Sequence, residues 1–276
     1  GIYTPERIED YEWDVQFMKD CGFNGVRKHQ KIEDPYFYYY CDKLGLLVWA
    51  EMPSRYIYDE TGAINIVNEW QRVIRRLYNF PSIMAWVPMN ESWGVEQLRE
   101  GENKKAQAHL DALYYLTKSL DDTRLVVSND GWQHATTDLI TIHEYTQDHQ
   151  DLTQRYQKWQ SNRHEPAFTH RLPILLPGYE YKGQPILITE YGGVKVEEQQ
   201  AEGWGYGQPA RNYEEMLERI RELTFAILEQ EEVSGYCYTQ LTDVQQEVNG
   251  LATFDRKPKV APERYKAIFG CNKPTK

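Results

Sequence analysis

Residues 82–91 read SIMAWVPMNE and residues 185–192 read PILITEYG. Each is a nearly continuous apolar run, rich in β-branched and aromatic side chains, that ends abruptly in polar groups: Asn90 and Glu91 in one, Glu190 in the other. Continuous apolar character, in place of strict alternation, marks a strand covered on both faces and fits a parallel sheet. Working outward, runs of the same kind stand at 22–29 (GFNGVRKH), 46–52 (LLVWAEM), 124–130 (RLVVSND), 139–145 (LITIHEY) and 234–243 (SGYCYTQLTD). Helical periodicity separates them: Ile8, Tyr11, Val15 and Met18; Ile64, Val67, Ile74 and Leu77; Ala106, Leu110, Leu113 and Leu120; Met216, Ile220, Leu223 and Ile227. Strand-helix alternation without a Ser/Gly-rich linker or internal repeat predicts an α/β fold in one domain over residues 1–276. No G-x-G-x-x-G follows the first run, as a dinucleotide-binding sheet would require, so a (β/α)8 TIM barrel is favoured. Because a helix precedes the first visible strand, the original first strand is expected upstream of Gly1, in a longer multi-domain protein of which this is the C-terminal part.

Composition narrows the function classes. The 276 residues carry 31 Lys+Arg against 42 Asp+Glu, a formal charge of -11, which argues against a nucleic-acid partner. No stretch approaches the roughly 20 apolar residues of a membrane span, and the opening GIYTPERIEDYEWD has no signal-peptide pattern, so no membrane partner is expected; the compartment is left open. The four cysteines lack C-x-x-C spacing and read as buried thiols. Aromatics are abundant, at 13% of the chain, as where flat apolar faces such as sugar rings must be met.

Polar residues gather at the strand ends, where barrel enzymes place their chemistry: Arg27 and His29, Glu51, Asn90 and Glu91, Asn129 and Asp130, His143 and Tyr145, Glu190 and Tyr191, Gln240 and Asp243. Glu91 and Glu190 form the pair of carboxyls that glycoside hydrolysis needs, one to protonate the leaving oxygen and one to attack the anomeric carbon or activate water. Trp86 and Trp93, close to Glu91 in sequence, would favour its protonated form by partial desolvation, suiting a general acid; Arg27 could keep Glu190 ionised, suiting a nucleophile. Either Glu taken alone reads as easily as a helix cap or a Lys partner.

The stretches GFNGVRKHQKIEDPYFYYYCDKLGLLVWAEMP (22–53), NFPSIMAWVPMNES (79–92), RLVVSNDG (124–131), PILITEYGG (185–193) and GLATFDRKPK (250–259) carry a resemblance. In order and spacing the chain resembles the catalytic barrel of glycoside hydrolase family 2, the β-galactosidases, β-glucuronidases, β-mannosidases and their relatives. The resemblance implies a retaining exo-β-glycosidase, of β-galactosidase type, with Glu91 as acid/base, Glu190 as nucleophile and Asn90 as donor to the sugar 2-hydroxyl. It also implies substrate-site roles for Arg27, Glu51, His143 and Tyr145, with Tyr238 in place of the family Trp that floors the sugar; Trp93 and Trp204 are further stacking candidates. The family's second-strand His falls at Gln30, with His29 one place earlier. The Asn-Lys pair by which β-glucuronidases hold a carboxylate aligns near Val248 and Asn249, without a Lys, which disfavours uronic acids. Segments 146–184 and 195–211 read as long mouth loops whose Trp159, Tyr179, Tyr181, Trp204 and Tyr206 either stack on sugars or pack against other domains. No cofactor is expected, and a Mg or Na ion near Glu51 is not indicated. The expected partners are the carbohydrate substrate and flanking β-sandwich domains. The alternatives are a non-catalytic carbohydrate-binding barrel or inactive fragment, and another retaining enzyme such as a β-mannosidase, an endo-glucanase or an endo-mannanase.

Overall fold

The computed structural model describes residues 4–95, 98, 103–197 and 203–271. In chain order it contains α1 (Ile8–Asp20), β1 (Gly25–Lys28), α2 (Pro35–Leu44), β2 (Leu47–Glu51), α3 (Glu60–Leu77), β3 (Ile83–Val87), α4 (Lys104–Leu120), β4 (Leu125–Val126), β5 (Ile140–Glu144), α5 (His149–Ser161), β6 (Ile186–Gly192), α6 (Tyr213–Leu228), β7 (Val233–Thr239) and α7 (Pro262–Phe269). Every expected run holds a strand, and α1, α3, α4 and α6 lie where the periodicity placed them. The helices α2, α5 and α7 are additions. The presence of α5 corrects the reading of 146–184 as a loop throughout: in a very polar segment, Leu152, Tyr156 and Trp159 at spacings of four and three are buried along one face.

Helix starts follow from local chemistry. Asp34 accepts the Tyr36 N–H and Pro35 occupies the first turn of α2, which ends at Gly45 in the left-handed region (φ 71°). Asp59, Asn103, Asp148 and Asn212 cap α3, α4, α5 and α6 through their side chains.

The chain divides into two compact units, residues 1–15, 24–142 and 172–186, and residues 16–23, 143–171 and 187–276. In the first, β1, β2, β3 and β4 form a sheet in chain order, with each neighbouring pair parallel, so all four C-terminal ends lie on one edge. Its core includes the fully buried Trp70 and Trp86, packed edge-to-face with centroids 5.8 Å apart. Their indole N–H groups donate to Thr117 Oγ1 and Asp121 Oδ2, both at 2.8 Å, so neither leaves a buried donor unmet. The remaining strands form a sheet in the order β5-β6-β7. In the second unit, Tyr191 is fully buried, bonds Thr224 of α6 at 2.7 Å and meets Tyr238 edge-on at 5.6 Å. Among the described residues no helix is long and apolar enough to cross a membrane.

Candidate active site

The C-terminal edge of the first sheet gathers Arg27, Glu51, Asn90 and Asp130. Register explains the meeting: Arg27 is paired with Trp49, two residues before Glu51, and Asn90 forms a parallel bridge with Asp130. The Arg27 guanidinium, 5% exposed, pairs with Glu51 Oε2 at 2.8 Å, contacts Asp130 Oδ2 and donates to Asn90 Oδ1 at 2.7 Å. Glu51, fully buried, also accepts the Gln30 N–H at 2.8 Å and lies 3.2 Å from His29 Nδ1. A buried guanidinium with its fork filled by carboxylates is strongly held, because removing either partner would leave an uncompensated charge. Asn90 is itself fully buried, and with its carbonyl oxygen on Arg27 its Nδ2 has no protein partner among the described residues.

Glu91 follows directly, in an unusual conformation. Both Glu91 and Ser92 are left-handed (φ 51° and 59°), a region that side chains with a Cβ disfavour, and they persist only when surroundings enforce it. Here the Glu91 N–H donates to Asp130 O at 2.9 Å and the Ser92 N–H to Asn129 Oδ1 at 2.9 Å, while Ser92 Oγ bonds Gln133 Oε1 at 2.6 Å. The Trp93 indole N–H points to Glu91 Oε2 at 3.4 Å. Trp86, expected to share this role, is instead committed to the core with Trp70 and Asp121.

In the second unit, Glu190 lies on β6, 6% exposed. The Tyr145 hydroxyl donates to Glu190 Oε2 at 2.5 Å, and His143 Nδ1 lies 3.4 Å from the same oxygen. Burial, then the charge of Glu190 and the neighbouring Tyr206, raise the Tyr145 hydroxyl well above its ordinary pKa, so it remains a donor. Tyr206 stacks on Tyr145 with centroids 3.5 Å apart and planes 9° from parallel. Gln147 Nε2 donates to Gly192 O at 2.6 Å, tying the segment after β5 to the end of β6. Val196 forms a parallel bridge with Ala210, and Trp204 with Glu247. Trp204 remains 46% exposed, edge-on to Tyr206.

The first unit thus brings Arg27, Glu51 and Asn90 together with Glu91 and Trp93 beside them, and the second brings His143, Tyr145 and Glu190 together. Tyr238 is 7% exposed, against Tyr191 and Phe269. Trp159 is fully buried, with its indole N–H on Arg163 O, and serves packing in place of a sugar face, while the half-buried Tyr179 donates its hydroxyl to Asp111 at 2.7 Å. Asp130, Asn129, Gln133 and Gln147 are contributors the sequence reading left out of the site. Asp130 and Asn129 were visible as strand-end polar residues, whereas Gln133 and Gln147 carried no signal.

Residues 7–271 match the family described as "Glycosyl hydrolases family 2, TIM barrel domain". The chain belongs to that family. The match confirms the barrel class of this α/β fold. Among relatives of the family 2 barrel, a β-galactosidase of Aeromonas hydrophila is 30% identical over 199 residues, 69% of this chain and 17% of that protein. A β-glucuronidase of Bacteroides fragilis is 28% identical over 155 residues, 50% of this chain and 21% of that protein. The crystal structure of a Bacteroides uniformis β-glucuronidase shares the fold, with a TM-score of 0.73 and 21% identity over 95% of this chain and 33% of that one. The chain therefore spans a minor part of the length of the relatives it matches.

Proposed function

We propose that this barrel is the catalytic domain of a retaining exo-β-glycosidase acting on a neutral sugar, of β-galactosidase type. The observation that carries the reading is the Glu190 carboxylate at the end of β6, oriented by the Tyr145 hydroxyl at 2.5 Å. A donor that keeps its proton holds one carboxylate oxygen and leaves the other directed for attack. In the first step Glu190 bonds to the anomeric carbon while Glu91 transfers its proton to the departing glycosidic oxygen. In the second, Glu91 takes a proton from water, whose oxygen displaces Glu190 and restores the starting anomeric configuration. The buried Nδ2 of Asn90 is a donor available to the sugar 2-hydroxyl, and Arg27 fixes its orientation. The two partners expected are the carbohydrate and the flanking β-sandwich domains.

Residues 247–249 bear on the type of sugar. Asn249 Nδ2 donates to Glu247 Oε1 at 3.1 Å, and Gln240 Nε2 donates to Asn249 Oδ1 at 2.9 Å. The neighbouring Lys259 is committed to Asp243 at 2.7 Å and to Val248 O at 3.2 Å, so these residues offer a uronate no cation that is not already paired, which favours a neutral sugar. Turnover of nitrophenyl β-galactoside, β-glucoside, β-mannoside and β-glucuronide by the protein at its natural full length tests the reading. The β-galactoside is expected to lead and the β-glucuronide to trail, with Glu190→Gln inactive on all four. Equal rates for wild type and Glu190→Gln would end the assignment of Glu190 as the nucleophile.

A further inference from the structure

The segment between β2 and α3 carries Tyr56 and Ile57 at 66% and 64% exposure, and Trp93, two residues after Glu91, is 41% exposed. Tyr56 and Trp93 meet edge-to-face with centroids 5.2 Å apart, and Trp93 points its indole N–H at Glu91. Large aromatic faces left open to water beside a carboxyl mark a binding surface more readily than scattered exposed apolar groups do. The pair is also held in place. Gly94 (φ 83°) lies so close to Arg55 that a Cβ there would sit 2.4 Å from the Arg55 carbonyl oxygen. Both terminal nitrogens of the Arg55 guanidinium bond Asp59, which caps α3 through the Gly62 N–H at 2.6 Å. The Ser54 N–H donates to Gln30 Oε1 at 2.9 Å. A preformed platform binds without the entropy cost of ordering a loop.

We infer that Tyr56 and Trp93 form the subsite for the leaving group, and that its occupant is a second sugar ring whose C–H face stacks on Tyr56. This rests on the reading of Glu91 as acid/base. The acid must lie within hydrogen-bond reach of the glycosidic oxygen, so whatever continues beyond that oxygen lies on the Glu91 side. The aromatic pair occupies that side. Trp93 has two functions, since it contacts the acid and borders the subsite, whereas Tyr56 packs on Trp93 and serves the leaving group.

The test uses two substrates with the same first sugar, a β-linked disaccharide and the β-glycosyl fluoride, and reads kcat/KM, which reports the step that expels the leaving group. Stacking of an aromatic ring supports a difference of about tenfold. Tyr56→Ala is expected to lower kcat/KM for the disaccharide about tenfold and to leave the fluoride within about twofold, while Tyr56→Phe stays within about twofold on both. If wild type turns over both substrates and Tyr56→Ala changes them by the same factor, or changes neither, the subsite assignment is wrong and the glycosidase reading stands. If wild type turns over neither, both fail together.

Discussion

The Tyr145 phenol and the Glu190 carboxylate share a hydrogen bond of 2.5 Å, and Tyr206 lies flat against the phenol ring at 3.5 Å. Stacking fixes the ring plane and so fixes where the hydroxyl points. Hydrogen bonds to a charged group contribute about 1.5 to 3 kcal/mol, so Tyr145→Phe should lower kcat by roughly 10- to 100-fold. The raised pKa of Tyr145 keeps the proton in place through the ordinary tyrosine range near 10. The alkaline limb of the pH-rate profile should therefore coincide in wild type and Tyr145→Phe. A limb that disappears in the variant would show Tyr145 ionising in the working range.

The Asn90 donor gives a second prediction. If Nδ2 bonds the sugar 2-hydroxyl, then the losses from removing each side of that bond should overlap, and removing both should cost little more than the larger single loss. Asn90→Ala and a 2-deoxy substrate are each expected to lower kcat/KM by roughly 10- to 100-fold. Losses that multiply in the double experiment would place the donor elsewhere.

Gly192, next after Tyr191, has φ 87° and leaves no room for a side chain, since a Cβ would sit 2.3 Å from the Tyr238 ring. Gly192→Ala combines left-handed strain with this clash and should lower stability by about 2 to 3 kcal/mol. Thermal unfolding of the variant measures the loss; an unchanged Tm would mean that the Tyr238 ring yields freely.

Asp121 accounts for part of the acid stability. Burial alone would raise its pKa, but hydrogen bonds from Thr123, Arg124 and Trp86 outweigh that and hold it below the usual carboxylate range. Its native pKa lies below the unfolded value, so the stabilisation is present above about pH 4 and is lost as pH falls through the native pKa. Asp121→Asn should lower stability by about 2 kcal/mol at pH 7 and flatten its decline between about pH 4 and pH 2. Denaturant unfolding at the two ends of that range checks both halves.

Much of this arrangement is legible in the sequence, because buried parallel strands announce themselves as apolar runs ending in polar groups, and Arg27, Glu51, Asn90, Glu91, Tyr145 and Glu190 all stand at such ends. Less was legible where the signal is non-local. That Arg27 bonds Asp130 depends on the order β1-β2-β3-β4, which no single segment encodes. Nothing in PMNES reports that Glu91 and Ser92 are left-handed, since Asn129 and Asp130, from another strand end, impose it. The helix α2 was missed because PYFYYYCDKL reads as a solid aromatic block, although Asp34-Pro35 and Gly45 bracket it with cap signals. The helix α5 was masked by polarity, and Trp86 by its nearness to Glu91 in sequence, where strand geometry commits it to the core.

Double displacement through Glu190 is tested by incubating the full-length protein with an activated 2-deoxy-2-fluoro-β-glycoside of its preferred sugar and mapping the trapped peptide by mass spectrometry. The fluorine slows the second step, so the glycosyl ester accumulates on the attacking residue. One label per chain is expected, on Glu190. A label on any other residue, or an enzyme that turns over its nitrophenyl substrate with inversion and traps no label, would contradict it.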